Sequence, residues 1–277
     1  MRLARWSGPL DRAEIESGAF TPHRDTVTDV EFSHGGARIA SASADRTVRV
    51  FESKSPLKQL YYTSPPLPGI VTSVQFHPKD NIVLSSCDDG GVRLHDVDPP
   101  AVQLLGKFGA PARRAEFDHT GTWVVAASGD GEARVWPIKS SKDDRRRSVG
   151  YKHDAPVTHA TFQPIPAPGR KLFVTTATNG RVTTWRLTVE GDNETPLEPA
   201  HPGAAVFAQW SKDGRRLTTV GGGEVLLWEW KAETDEIIAR LRLAELPKET
   251  SRAEFSPDGK LLVTYGADEI AYVWKLE

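Results

Sequence analysis

Hydrophobic and polar positions along the chain fall into one repeating figure. A short apolar strand ends in an aromatic ring, and a polar turn follows. A strand of small residues leads to an acidic or Gly-rich tight turn, then to a strand that again ends in a ring. The first copy reads VTDVEF from Val27 to Phe32, then SHGGAR, IASAS, ADR and TVRVF, which ends at Phe51. The later copies are VTSVQF, HPKDN, IVLSSC, DDG, GVRLH; ARRAEF, DHTGT, WVVAAS, GDG, EARVW; and VTHATF, QPIPAPGRK, LFVTTA, TNG, RVTTW. Two more follow: AVFAQW, SKDGRR, LTTV, GGG, EVLLW and SRAEF, SPDGK, LLVTYG, ADE, IAYVW.

The rings that close the first strand of each copy are Phe32, Phe76, Phe117, Phe162, Trp210 and Phe255. They lie about 41 to 48 residues apart, the period of four-stranded propeller blades. More highly charged segments between copies, Leu57 to Tyr62, Val102 to Phe108 and Glu236 to Leu243, fit exposed outer strands. Runs such as VVAAS and VLSSC lack polar alternation, which predicts strands buried on both faces and packed closely through small side chains. One such sheet cannot bury its faces alone, so several must stack. A sandwich would also need regular turns, but not the same signature in every copy.

These copies resemble the WD40-repeat family over roughly residues 21–277. The resemblance implies an all-β fold, a WD40-type β-propeller of four-stranded antiparallel blades, with six recognisable repeats in one domain over residues 1–277. The repeats are expected near 21–62, 63–108, 109–151, 152–200, 201–243 and 244–277. Residues 1–20 leave two readings open. The segment Ala13 to Phe20 could supply the outer strand of the sixth blade and close a six-bladed ring. Alternatively, LARW at Leu3 to Trp6 is a third strand, and residues 1–20 are half a blade of an incomplete seven-bladed ring.

Family blades carry a hydrogen-bonded tetrad of His, Ser or Thr, Asp and Trp, in which each polar group satisfies the next. On that pattern the first copy offers His23, Ser43 and Asp45 but ends in Phe51. The second has Cys87, Asp89 and His95, and the third Ser128, Asp130 and Trp136 with Phe108 in the histidine place. The fourth has His153 and Trp185 around Ala177 and Asn179, the fifth His201 and Trp228, and the sixth Asp268 and Trp274. No copy carries all four on this assignment. These are structural blade positions.

Composition narrows the function. The 277 residues have a formal net charge of −2, without the basic footprint of a dedicated nucleic-acid binder. Cys87 is the single cysteine, so an intrachain disulfide is impossible, and no apolar h-region follows the charged MRLARWSGPL. Both features predict an intracellular, cytoplasmic setting. No run of about eighteen apolar residues predicts a membrane span.

No catalytic residue, metal site or cofactor is expected. A Cys87/His95 pair on adjacent strands is conceivable as nucleophile and base, but a lone cysteine on a buried strand is more often a small hydrophobe. The eight histidines show no zinc-ligand spacing. Carboxylates at Asp45, Asp89, Asp130 and Asp268 recur blade by blade, as turn devices do, whereas acid/base chemistry wants a unique pair.

Two surface features suit recognition instead. In the family geometry, the loops before first strands and the second-to-third turns share one face. That face would hold Arg24, Asp25, Arg46, Arg113, Arg114, Asp154, Arg181, Lys248, Glu249 and Glu269. The second feature is a basic loop with Arg145, Arg146 and Arg147 in SSKDDRRRS. The expected function is a non-catalytic scaffold or sensor that binds a protein or peptide, as one part of a larger polypeptide or complex. Nucleic-acid binding through the Arg-rich loops is the alternative, and a channel-mouth enzyme a weaker one.

Overall fold

The computed structural model describes residues 3–4, 23–53, 60–138, 148–165, 171–187, 193–197, 200–231, 234, 236–243, 246, 250–268 and 270–276. Ala13 to Phe20, the Arg145 to Arg147 loop, Lys248, Glu249 and Glu269 lie outside the described residues. Every described element is a β-strand, and they form six four-stranded antiparallel sheets. Among the described residues no helix is long and apolar enough to cross a membrane. The chain divides into two compact units, Arg12–Lys152 and Met1–Asp11 with His153–Glu277.

Strand β1 (Leu3–Ala4) belongs to the second of these. The unit Arg12–Lys152 holds three sheets. The first sheet is β2 (Val27–Phe32), β3 (Arg38–Ser43), β4 (Val48–Glu52) and β5 (Leu60–Thr63). The second is β6 (Val71–Phe76), β7 (Ile82–Cys87), β8 (Gly91–Val97) and β9 (Pro100–Lys107). The third is β10 (Ala112–Phe117), β11 (Trp123–Ser128), β12 (Glu132–Pro137) and β13 (Val149–Lys152). Strands pair in chain order, so each sheet is a meander built from local turns. Ala40, Ala42, Val48 and Val50 of the first sheet pack on Val74, Phe76 and Val83 of the second. Leu84, Val92 and Leu94 on the second sheet's other face pack on Ala115, Phe117, Val124 and Trp136 of the third. The middle strands are buried on both faces, as their unalternating sequence requires.

The other unit repeats the plan. Its sheets are β14 (Val157–Phe162), β15 (Lys171–Ala177), β16 (Val182–Leu187) and β17 (Asn193–Leu197), then β18 (Ala205–Trp210), β19 (Arg216–Gly221), β20 (Glu224–Lys231) and β21 (Glu236–Leu243). The last combines β22 (Thr250–Phe255), β23 (Leu261–Gly266) and β24 (Ala271–Lys275) with β1 as its fourth strand. Leu3 pairs with Trp274 and Ala4 with Val273. Leu3–Ala4 thus forms the fourth strand of the sixth sheet. A two-residue ladder suffices because β24 needs only its open edge covered.

Each inner strand has a bulge after its first residue, with register shifts at Val27/Asp29, Val71/Ser73, Ala112/Arg114, Val157/His159, Ala205/Phe207 and Thr250/Arg252. The bulge bends the strand and frees the second residue to reach sideways. Thr28 Oγ1 donates to the Val71 carbonyl at 2.5 Å and Thr72 Oγ1 to that of Ala112 at 2.7 Å. Thr158 does the same to Ala205. Further along, Asp29 Oδ2 accepts the Val74 N–H, Gln75 Oε1 that of Phe117 and Gln209 Oε1 that of Phe255. Successive sheets within a unit are thus bonded as well as packed.

Candidate functional site

The loop face is built by the tight turns. In the first sheet Asp45 gathers the turn around itself. Its carboxylate accepts the Arg24 N–H at 2.9 Å and the Thr47 N–H and hydroxyl at 3.0 and 2.6 Å. His23 Nδ1 lies 2.9 Å away, and because a carboxylate only accepts, that nitrogen carries the proton. Against the burial that would raise it, these bonds hold the Asp45 carboxyl well below the usual range. In the second sheet the Arg93 fork grips Asp89 through two bonds of 3.0 and 2.6 Å, with the Gly91 N–H adding a third. Asp89 is depressed likewise, with Arg93 the largest cause. Asp130 ties its turn to the preceding connection through the Gly109 N–H. Asp268 lies 3.2 Å from the Tyr272 hydroxyl.

The buried relays differ from the sequence assignment by a systematic two residues. Ser43, Cys87 and Ala177 end their strands, and the relay hydroxyl stands two positions earlier; in the third sheet, which ends in Ser128, that place is Ala126. His23 Nε2 meets Ser41 at 2.6 Å, not Ser43. In the second sheet His95 replaces Trp, 2.7 Å from Ser85 and 3.2 Å from the Tyr62 hydroxyl. Thr175 sits between His153 and Trp185 at 2.8 Å from each, and Thr219 between His201 and Trp228, again at 2.8 Å. Thr264 takes the Trp274 indole N–H at 3.0 Å. The fourth and fifth sheets carry a His–Thr–Trp relay whose threonines the sequence reading did not assign.

The reason is register. Trp185 pairs with Phe173 and Trp228 with Leu217, so each indole leans along its strand to the residue two further on. Ser43 and Ser128 instead cap the turn. Each hydroxyl accepts the N–H of the acid two residues on, Asp45 or Asp130, and donates to the Asp25 or Ala110 carbonyl. His95 is fully buried, and burial pushes it down to about 3, with Arg93 contributing. With Ser85 and Tyr62 on its two nitrogens, it is held in the relay. Burial also raises the Cys87 thiol, which suits a small hydrophobe and not a nucleophile.

In the unit Arg12–Lys152, Arg24, Asp25, Arg46 and Arg113 are exposed. Arg113 is the bulged residue of β10. Arg46 has φ +68°, while the same turn place is glycine in other sheets: Gly90 at +83°, Gly131 at +82° and Gly180 at +85°. Its carbonyl accepts the Leu67 N–H, which brings the connection to β6, with exposed Ile70, beside the turn.

Arg114 of the expected face is half-buried. Its Nε lies 2.9 Å from Glu116 Oε1, and it interacts with Asp29 and Glu31. Burial pushes the Glu31 carboxyl up to about 8; Glu116 and Asp29 raise it further, while Arg114 and the Phe76 N–H oppose the rise. Strand alternation in separate copies hid this cluster from the sequence. In the other unit Asp154 and Arg181 form an exposed ion pair of 3.2 Å, with Asn179 bonded to the same acid. Among the described residues no group of three or more His, Cys, Asp or Glu is placed to hold a metal ion.

Comparison with known proteins supplies the family. The model described as "WD domain, G-beta repeat" matches residues 16–52, 59–96 and 109–137. The chain is 27% identical to Protein LST8 homolog of Drosophila melanogaster over 86% of its own length and 75% of the relative's. It is 22% identical to Protein transport protein sec13 of Emericella nidulans, covering 91% and 92%. Against Protein HIR1 of Yarrowia lipolytica it is 28% identical over 54% of this chain, spanning only 13% of that protein. A chain of the Crystal Structure of Mitotic Checkpoint Complex superposes with a TM-score of 0.74 at 16% identity, covering 90% of this chain and 76% of that one. The repeated four-stranded sheets, the turn acids and these matches agree: the chain carries WD40 repeats at the three matched positions, is similar to WD-repeat proteins, and has the all-β propeller fold.

Proposed function

We propose that this chain is a non-catalytic interaction module that holds a protein or peptide partner on the loop face of the unit Arg12–Lys152. The observation that carries the reading is Arg46. A left-handed backbone costs a non-glycine residue roughly 1–2 kcal/mol, and the equivalent turns use glycine. Strain retained at an exposed arginine points to a role for its side chain. Arg24 and Arg113 add exposed guanidinium groups, and Ile70 adds an exposed apolar side chain near the Arg46 turn. Arginines around an apolar anchor are the composition of interface hot spots, and the excess of exposed cations favours an acidic partner segment.

The protein-complex roles common among WD40-repeat proteins support this reading at the level of class, which is a weak guide to a particular partner. Quantitative affinity capture from the source cell tests it with wild type, Arg46→Gly and the double variant Arg24→Glu/Arg113→Glu. Loss of the same proteins from both variants, with folding intact, is the expected result. Identical recoveries from all three baits would reject this face.

A further inference from the structure

Turns that join first to second strands lie at the end of each sheet away from the loop face. In the unit Arg12–Lys152 two of them, residues 33–37 and 77–81, border a cavity of about 360 Å³, at the lower end of the range for small-molecule sites. Both walls are fixed from within. Ser33 Oγ accepts the Arg38 N–H at 3.0 Å, and the Ser33 N–H bonds to the Arg38 carbonyl at 2.9 Å. On the other wall His77 Nδ1 accepts the Lys79 and Asp80 N–H groups at 3.2 and 2.9 Å. Its Nε2 donates to the Gly121 carbonyl, in the corresponding turn of the third sheet, at 3.0 Å. Arg38 spans the two walls, with Nη1 donating to Asn81 Oδ1 at 3.1 Å.

The charge of Arg38 sets this cavity apart. Among the described residues of the unit, every other arginine that is not exposed has a carboxylate: Arg49 has Asp45, Arg93 has Asp89, Arg114 has Glu116 and Arg134 has Glu132. Arg38 is half-buried and pairs with no acid among the described residues. Its guanidinium carbon lies 3.9 Å from the centre of the Tyr61 ring, so the fork is held in place with most of its five N–H donors free. Lys79, on the facing wall, also has no carboxylate partner among the described residues, and exposed His34 lines the rim. Asp80, the one acid in the lining, pairs with neither cation; its Oδ2 stands 3.3 Å from His77 Nδ1. Gly35 leaves the first wall open, with nothing within 4 Å of where a Cβ would stand. An unpaired lysine on a surface is ordinary. A guanidinium fork immobilised in a cavity beside a second unpaired cation is not, because the fork matches two oxygens of one anion and the ammonium adds a point charge.

We propose that this cavity binds a phosphate group, as a small organic monoester or as inorganic phosphate. One cation from each wall matches the charge of about −1.5 to −2 that a phosphate monoester carries near neutral pH. A carboxylate would fill the Arg38 fork and leave Lys79 unmatched. Asp80 repels the anion and so weakens the site, which gives its removal a defined sign. The cavity shares no residue with the loop face, and this binding stands or falls independently of a protein partner there.

Calorimetric titration of the full chain with inorganic phosphate and with glycerol 3-phosphate tests this, with acetate as the carboxylate control. Wild type should bind at least one of the two phosphates and bind acetate more weakly. Tighter binding of glycerol 3-phosphate assigns the ester, and equal or tighter binding of inorganic phosphate the free ion. Arg38→Gln should weaken binding about tenfold or more through its lost charge-assisted bonds. Lys79→Gln should weaken it roughly threefold, and Asp80→Asn should strengthen it. Circular dichroism checks that the variants fold, and the exposed Lys79 and Asp80 keep the test available if Arg38→Gln does not. Arg46→Gly should leave the affinity unchanged, which separates this cavity from the loop face. A wild type that binds neither phosphate overturns the proposal. So does acetate bound as tightly as phosphate, or binding that the Arg38 and Lys79 variants leave undiminished.

Discussion

Arg46 is the one described non-glycine residue at positive φ, and its substitution separates stability from function. Arg46→Gly should raise unfolding free energy by about 1 kcal/mol, read as a higher urea midpoint, while weakening partner capture. A gain in stability with unchanged capture would leave the strain without a purpose. Thr219 makes the opposite kind of prediction. Its hydroxyl stands between His201 and the fully buried Trp228, so Thr219→Val keeps the shape and strands two polar groups. The expected loss is roughly 2–4 kcal/mol, and Thr219→Ser should restore most of it. Neither residue stood out in the sequence. Arg46 is an arginine in an ADR turn until its φ is known, and Thr219 is one of several hydroxyls on its strand.

The element scale is where turn and strand are locked together. Asp45 binds the Arg24 connection, the Thr47 turn and His23 at once, so one carboxylate fixes where the loop face lies relative to the sheet. Its folded-state affinity for protons is depressed, so its contribution is complete above the ordinary aspartate value of about 3.8 and is lost as pH falls below it. Asp45→Asn should therefore lower stability at neutral pH and flatten the acid limb below about pH 4, measured by urea unfolding at each pH. An acid limb of unchanged depth would show that Asp45 is not a main contributor. The latch of Thr72 to the Ala112 carbonyl acts between elements. Its Val variant should cost about 1 kcal/mol, with the third sheet losing amide protection first in hydrogen exchange.

At the scale of the whole molecule, buried ionisable groups set opposing pH limits. His95 and His201 are pushed down by burial to about 3 and about 4, so they stay neutral when folded and take up protons on unfolding below about 6.5. Stability therefore falls as pH drops through that window. Glu31 behaves oppositely. Raised to about 8, it holds its proton when folded and loses it on unfolding, so stability falls as pH rises from about 4.5 to 8. Between about pH 4.5 and 6.5 the two histidines outweigh the one glutamate, so stability still rises with pH there and the optimum set by these groups lies near pH 6.5. Glu31→Gln should abolish the decline between pH 6.5 and 8 in urea midpoints; a decline that persists would place its source elsewhere.

The sequence by itself determined the repeat, the strand-turn-strand order within it, which strands are buried on both faces and where the turn acids lie. Those features depend on neighbours a few residues apart, and a side-chain period of two with a fixed turn leaves little freedom. Tertiary structure decided what depends on register and on contacts between copies. It moved the relay position from Ser43 to Ser41, where His23 reaches, and from Ala177 to Thr175, because the Trp185 indole reaches diagonally across the pair. It paired Arg114 with Glu116 and brought Glu31 and Asp29 beside it from a strand more than eighty residues away. It also assigned the sixth sheet's last strand to Leu3–Ala4, a pairing between opposite ends of the sequence. No local pattern encodes a partner at that distance, since any strand edge offers the same backbone groups and only packing selects among them.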